Sequence, residues 1–150
     1  MTRLEAIRRA ASVAMGIAPD LETAGALSVP FVAFVSRPVE MTVLSGRTLA
    51  PGDMSIAVRM MSNGQAHRAT PLTGALCLAV ATRIPGSIPH ELARNLAEGA
   101  SQIRIAHASG VIVVDARIGR KDGRPHAEYA AVYRTARRLF DGRVHYRADK

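Results

Sequence analysis

The stretch His67-Arg68-Ala69-Thr70-Pro71-Leu72-Thr73-Gly74-Ala75-Leu76-Cys77-Leu78-Ala79-Val80-Ala81 places a polar loop directly before an apolar helical pattern, with a hydroxyl and a glycine at the join. The first amides of a helix have no carbonyl partner inside it, and the helix dipole adds partial positive charge there. Thr73, Gly74 and Ala75 therefore predict a cradle for a carboxylate or phosphate, with the Thr73 hydroxyl as a further donor or proton carrier. The same threonine also suits a plain N-cap. Gly74 would let a ligand come close to the backbone. His67, in the loop before the helix, is the residue type that moves protons near neutral pH; its alternative use is to tie the loop down. Arg68 beside it is a carboxylate fork or a surface arginine.

A second candidate is His107-Ala108-Ser109-Gly110, between two predicted strands. It offers a hydroxyl and loop amides at a tip, though Ser-Gly is also common in ordinary turns. If the two tips meet at one cleft, the case for a ligand site strengthens. Cys77 lies one turn inside the helix among apolar residues, so it reads as a core cysteine rather than a catalytic thiol. The five histidines show no metal-ligand spacing, and no metal site is expected. No phosphate-binding glycine loop, nucleophile elbow or paired-carboxylate signature occurs.

These residues need elements to hold them. Leu4, Ile7, Ala11 and Ala14 form one stripe of a helix over 3–15, with Thr2 and Glu5 as a capping box and Gly16 as its stop. Residues 17–29 read as a connector. Strands are predicted over 31–35, 41–44 and 54–61, the last with Met54, Ile56, Val58 and Met60 on one face. Leu72–Arg83 is apolar nearly all round, which predicts a central, buried helix. A short helix follows within 88–97, with Pro89 in its first turn. Strands are predicted over 102–107, 111–118 and 126–134, with a turn at Lys121-Asp122-Gly123. Asp141-Gly142 predicts a hairpin spanning 138–146. The fold class is α+β: mostly antiparallel strands around one buried helix, plus an N-terminal helix. Residues 1–30 form the helix and connector, 31–147 one domain, and 148–150 a tail.

The 150 residues include 48% hydrophobic side chains, enough for a packed core. No apolar run is long enough to cross a bilayer, and the short apolar run after Arg9, broken by Gly16 and Pro19, does not suit a signal peptide. One cysteine excludes an internal disulfide framework. A cytoplasmic protein is expected. The net charge of +8 is uneven: residues 117–150 hold ten Arg or Lys against four Asp or Glu, a balance of +6. Charge alone raises nucleic acid as a partner, but aromatic residues make up only 4%, so base stacking is poorly supplied and nucleic acid is disfavoured. A solvated basic face or an acidic partner fits better.

Several of these motifs together resemble the PrpF family: Met60-Met61-Ser62, His67-Arg68-Ala69, Thr73-Gly74-Ala75-Leu76-Cys77, Arg83-Ile84-Pro85-Gly86, Ile105 to Val111, and Tyr133 to Leu139. The resemblance runs from about Leu4 to about Tyr146. The family comprises 2-methylaconitate cis–trans isomerases and 4-oxalomesaconate tautomerases, related to diaminopimelate epimerase. It implies half of a diaminopimelate epimerase-like fold, a mixed, mostly antiparallel sheet wrapped around a central helix. It also implies a cofactor-independent isomerase or tautomerase of small unsaturated di- or tricarboxylic acids. By that pattern Thr73 takes the place where a relative carries Ser or Cys, as the catalytic position. His67, Gly74, Ala75, Ser109 and Gly110 would line the substrate cleft. The family's second tip reads Gly-His-Pro-Ser-Gly, where this chain has Ala106-His107-Ala108-Ser109-Gly110. Family members are more than twice as long. The resemblance therefore implies a C-terminal half lacking the family's other cysteine and its lysine, inactive unless an N-terminal half or a second copy completes it. The alternative is a non-catalytic carboxylate-binding or interaction module.

Overall fold

A computed structural model of the protein describes residues 2–62, 64–96, 102–133, 137–143 and 145–146. Helix α1 (Thr2–Ala14) forms where the apolar stripe requires it. Gly16, at φ +70°, ends it, its amide donating to the Val13 carbonyl. The Thr2 cap falls outside the described side chains. Glu5 pairs instead with Arg8 and Arg9. The expected connector contains a short helix α2 (Leu21–Ala26), because Asp20 caps it by accepting from the Thr23 amide at 2.7 Å.

Strands β1 (Val32–Ser36), β2 (Met41–Thr42), β3 (Thr48–Leu49), β4 (Ile56–Ser62) and β5 (Gln65–Ala66) precede helix α3 (Leu72–Ala81). Helix α4 (Ile88–Leu92) and strands β6 (Gln102–His107), β7 (Gly110–Lys121) and β8 (Arg124–Val132) follow. The main sheet has the order β1-β4-β6-β7-β8, with β5 also paired to β4. Its pairs are antiparallel except β4 with β6. The fold is thus mixed α+β with a mostly antiparallel sheet, as the sequence indicates. The two-residue strands β3 and β5 carry too little pattern to be read from sequence.

The sheet has apolar residues on both faces. On one, Ile56, Val58 and Met60 of β4, Ile103 and Ile105 of β6, and Val114 and Ala116 of β7 pack around Ala75, Leu78 and Ala79 of α3. Met54 leaves the expected row and joins Val43, Leu49, Ala57 and Ala106 in a second cluster. Helix α3 is central but not wholly buried. It buries Gly74, Ala75, Leu78 and Ala79 and leaves Leu72, Thr73 and Cys77 exposed, since the sheet covers only one side of it. Cys77 is therefore a surface thiol, not the core cysteine expected from its apolar neighbours.

The expected hairpin over 138–146 does not form among the described residues there, which hold no strand. Leu139, Phe140 and Tyr146 are 83–85% exposed, so its flanks find no apolar surface to pack on. No described helix is long and apolar enough to cross a membrane.

Candidate functional site

The site is built on the start of α3. Pro71 occupies the N-cap and supplies no side-chain bond, so Thr73 is the second residue inside the helix rather than its cap. The amides of Leu72, Thr73 and Gly74 precede the first intrahelical bond, which runs from the Ala75 amide to the Pro71 carbonyl at 2.9 Å. Thr73 and Gly74 open onto a cavity of about 540 Å³. Its other walls come from Val29 to Phe31, Ala33 and Val35 near β1, Met60 of β4, Cys77, Leu78 and Ala81 of α3, and Ile88 and Pro89 of α4. A donor cluster at one end of an apolar chamber suits a small acid with a carbon skeleton.

Gly74 serves packing. A Cβ there would overlap the Met60 side chain, so the glycine lets α3 lie close on β4. This packing role stands beside the ligand approach expected from sequence, since Gly74 also lines the cavity. Ala75 is fully buried, its amide is used by Pro71, and it faces the core rather than the cavity. His67 follows β5, its amide donating to the Met60 carbonyl at 2.8 Å. Its ring meets Phe31 edge-on with centroids 5.3 Å apart, which sets it beside a cavity wall.

The two loop tips do meet. Ser109 Oγ donates to the Arg68 carbonyl at 2.7 Å, joining the β6–β7 turn to the loop that enters α3. The Ser109 amide donates to His107 Nδ1 at 3.1 Å. Both donors of Ser109 are thus committed within the protein. Gly110 is buried at the start of β7 and adopts φ +142°, a conformation that favours glycine. Ser109 and Gly110 are not among the cavity walls; they brace the loop ahead of α3. Burial, and then the charge of Arg59, hold the half-buried His107 imidazole below the ordinary histidine range. Among the described residues no group of three or more His, Cys, Asp or Glu could hold a metal ion.

With this geometry in view, the sequence profile described as PrpF protein matches residues 1–147. The chain belongs to the PrpF family. It is 34% identical over 150 residues to the 3-methylitaconate isomerase of Eubacterium barkeri, covering 98% of this chain and 38% of that protein. It is 32% identical over 148 residues to the 2-methyl-aconitate isomerase of Shewanella oneidensis, covering 96% and 36% respectively. The crystal structure of a methylitaconate-delta-isomerase superposes with a TM-score of 0.74 at 29% identity, over 87% of this chain and 35% of that one. The chain thus has the PrpF, diaminopimelate epimerase-like fold and spans a little over a third of the length of these relatives.

Sequence reasoning missed the roles of two residues at this candidate site. Phe31 read as a buried strand residue, yet it bridges the cavity and His67. His107 read as the end of a strand and the first residue of a candidate ligand tip, with no role assigned to its own ring, yet that ring holds Ser109. The His-x-Ser-Gly spacing carried that signal, since a side-chain acceptor two residues before an amide closes a local turn.

Proposed function

We propose that this chain is the carboxylate-holding portion of an isomerase of small unsaturated di- or tricarboxylic acids related to aconitate. The observation that carries it is the uncapped start of α3, with exposed Thr73, facing a mostly apolar cavity. A substrate carboxylate would sit on the amides of Leu72, Thr73 and Gly74, with the Thr73 hydroxyl as a further donor. The apolar walls would take the carbon skeleton. His67 and the Ser109–Gly110 brace would fix the loop over the bound acid, and Ala75 would anchor the helix from behind. The isomerases among its relatives support the substrate class.

The chemistry breaks an allylic C–H bond. A base takes the proton, the electron pair shifts through the alkene toward the carboxylate, and a proton returns at the far carbon. Helix-start donors oppose the negative charge that builds on the carboxylate. This chain supplies those donors and a hydroxyl. The base would come from the part of the PrpF length that these 150 residues do not span.

Isothermal titration with aconitate and amide chemical-shift mapping test this reading. Saturable binding that shifts the Thr73 and Gly74 amides is expected. Thr73→Val should weaken it about tenfold, the worth of a hydrogen bond to a charged group, with the fold intact. No saturable binding, or binding indifferent to Thr73, overturns the proposal. Deuterium incorporation into aconitate by these 150 residues alone would refute the assignment of the base to the rest of the family's length.

A further inference from the structure

The Ser109 tip is held by a chain of two hydrogen bonds that begins at His107. Ile103 and Ile105 of β6 point into the core around α3, and strand alternation puts His107 next on that same face. Its Nδ1 accepts from the Ser109 amide at 3.1 Å. Ser109 Oγ in turn donates to the Arg68 carbonyl at 2.7 Å, three residues before Pro71 opens α3. An imidazole nitrogen accepts only when it carries no proton. The geometry therefore requires the neutral ring with its proton on Nε2. A proton on Nδ1 would face the Ser109 N–H, donor against donor.

We propose that His107 is a positioning residue: its unprotonated Nδ1 fixes the Ser109–Gly110 tip and, through Ser109, the loop that delivers Thr73. The functional consequence rests on the carboxylate reading above; the structural part does not. Arg59 of β4 is the charged group that acts on His107. From β7 the ring's residue is paired with Gly110, and the loop before α3 presents the Arg68 carbonyl. Burial and Arg59 both disfavour the charged ring, which keeps the acceptor form in place through neutral pH.

Three variants separate this role from simple packing. His107→Asn keeps an acceptor oxygen near the Nδ1 position, whereas His107→Ala and His107→Gln do not. Long-range ¹H–¹⁵N spectra should show the Nε2–H tautomer at pH 7. The hydrogen-exchange protection factor of the Ser109 amide should drop about tenfold in His107→Ala and His107→Gln and persist in His107→Asn, as loss of one hydrogen bond implies. In the wild type the same protection should vanish as pH falls through the His107 titration, and in His107→Asn it should stay flat. Aconitate affinity should fall several-fold in His107→Ala and recover in His107→Asn. An Nδ1–H tautomer, Ser109 protection indifferent to the His107 charge, or equal aconitate affinity in wild type and His107→Ala would each overturn the proposal. If wild type binds no aconitate, the carboxylate reading fails, and tautomer and protection still decide the positioning role.

Discussion

Two helices of this protein handle polar groups in opposite ways. In α1, Arg8 is 1% exposed and all three nitrogens of its guanidinium donate within the protein. It donates to both Glu5 carboxylate oxygens at 2.6 and 2.9 Å, to the Ala24 carbonyl at 2.7 Å and to the Val29 carbonyl at 3.2 Å. At the start of α3, the leading amides carry no side-chain cap and Thr73 stands exposed at a cavity. The first arrangement ties α1 to α2 and to the cavity rim at Val29. The second leaves donors for something outside the chain. Satisfied, buried polar groups hold a structure together; unsatisfied, accessible ones hold a ligand.

The sharpest way to break that contrast is Arg8→Ala. It leaves the Val29 carbonyl without that donor, takes one of two donors from the Ala24 carbonyl and one of two arginine partners from Glu5, and empties a buried site, so unfolding in urea should show a loss of about 3 kcal/mol. Thr73→Val, by contrast, should leave stability nearly unchanged. The pH dependence sharpens the same point. Hydrogen bonds from Arg8, then from Arg9, hold the Glu5 carboxyl at about 2, below its ordinary 4.5. A depressed carboxyl stabilises the fold above its unfolded value, and that contribution is lost as pH falls from about 4.5 toward 2. Stability measured over that window should decline in the wild type and be flatter in Glu5→Gln. An equally steep acid limb in Glu5→Gln would assign it to other carboxyls.

A smaller effect is expected where α3 meets β4. Alanine is the better helix former by about 1 kcal/mol, but at Gly74 its methyl would displace the buried end of Met60. Overpacking outweighs propensity, so Gly74→Ala should cost about 1 kcal/mol in thermal or urea unfolding. In a Met60→Ala background the clash is gone and the same change should become stabilising. A double-mutant cycle that shows no coupling between positions 60 and 74 would refute this account of the glycine.

The two Asp-Gly pairs show how far local sequence reaches. Asp122 and Gly123 have φ of +52° and +74° and join β7 to β8 in a two-residue turn, as their chemistry predicts. Asp141-Gly142 carries the same signal and closes no hairpin among the described residues, for its flanks lie exposed. The turn residues are identical; what differs is the neighbouring strand available to one and not to the other. The site divides the same way. The start of α3 was legible because loop, hydroxyl and apolar period are contiguous. The meeting of Ser109 with Arg68 spans 41 positions and depends on β6 lying beside β4, the one parallel pairing among the described residues, which no local pattern encodes.

Cys77 gives the smallest effect and tests the open side of α3 directly. It lies one helical turn from Thr73, on the same face, and lines the same cavity. An all-apolar neighbourhood in sequence implied burial, but the sheet covers only the opposite face of the helix. The native protein should therefore react with a thiol reagent such as dithionitrobenzoate without denaturant, in proportion to one thiol per chain. Cys77→Ser should change stability by less than about 0.5 kcal/mol, the range for surface positions. If aconitate occupies the cavity, ligand should slow the thiol reaction, and Thr73→Val should shift that protection to about tenfold higher ligand concentration. A thiol that reacts only after unfolding would place α3 against a closed wall, and the contrast between the two helices would disappear.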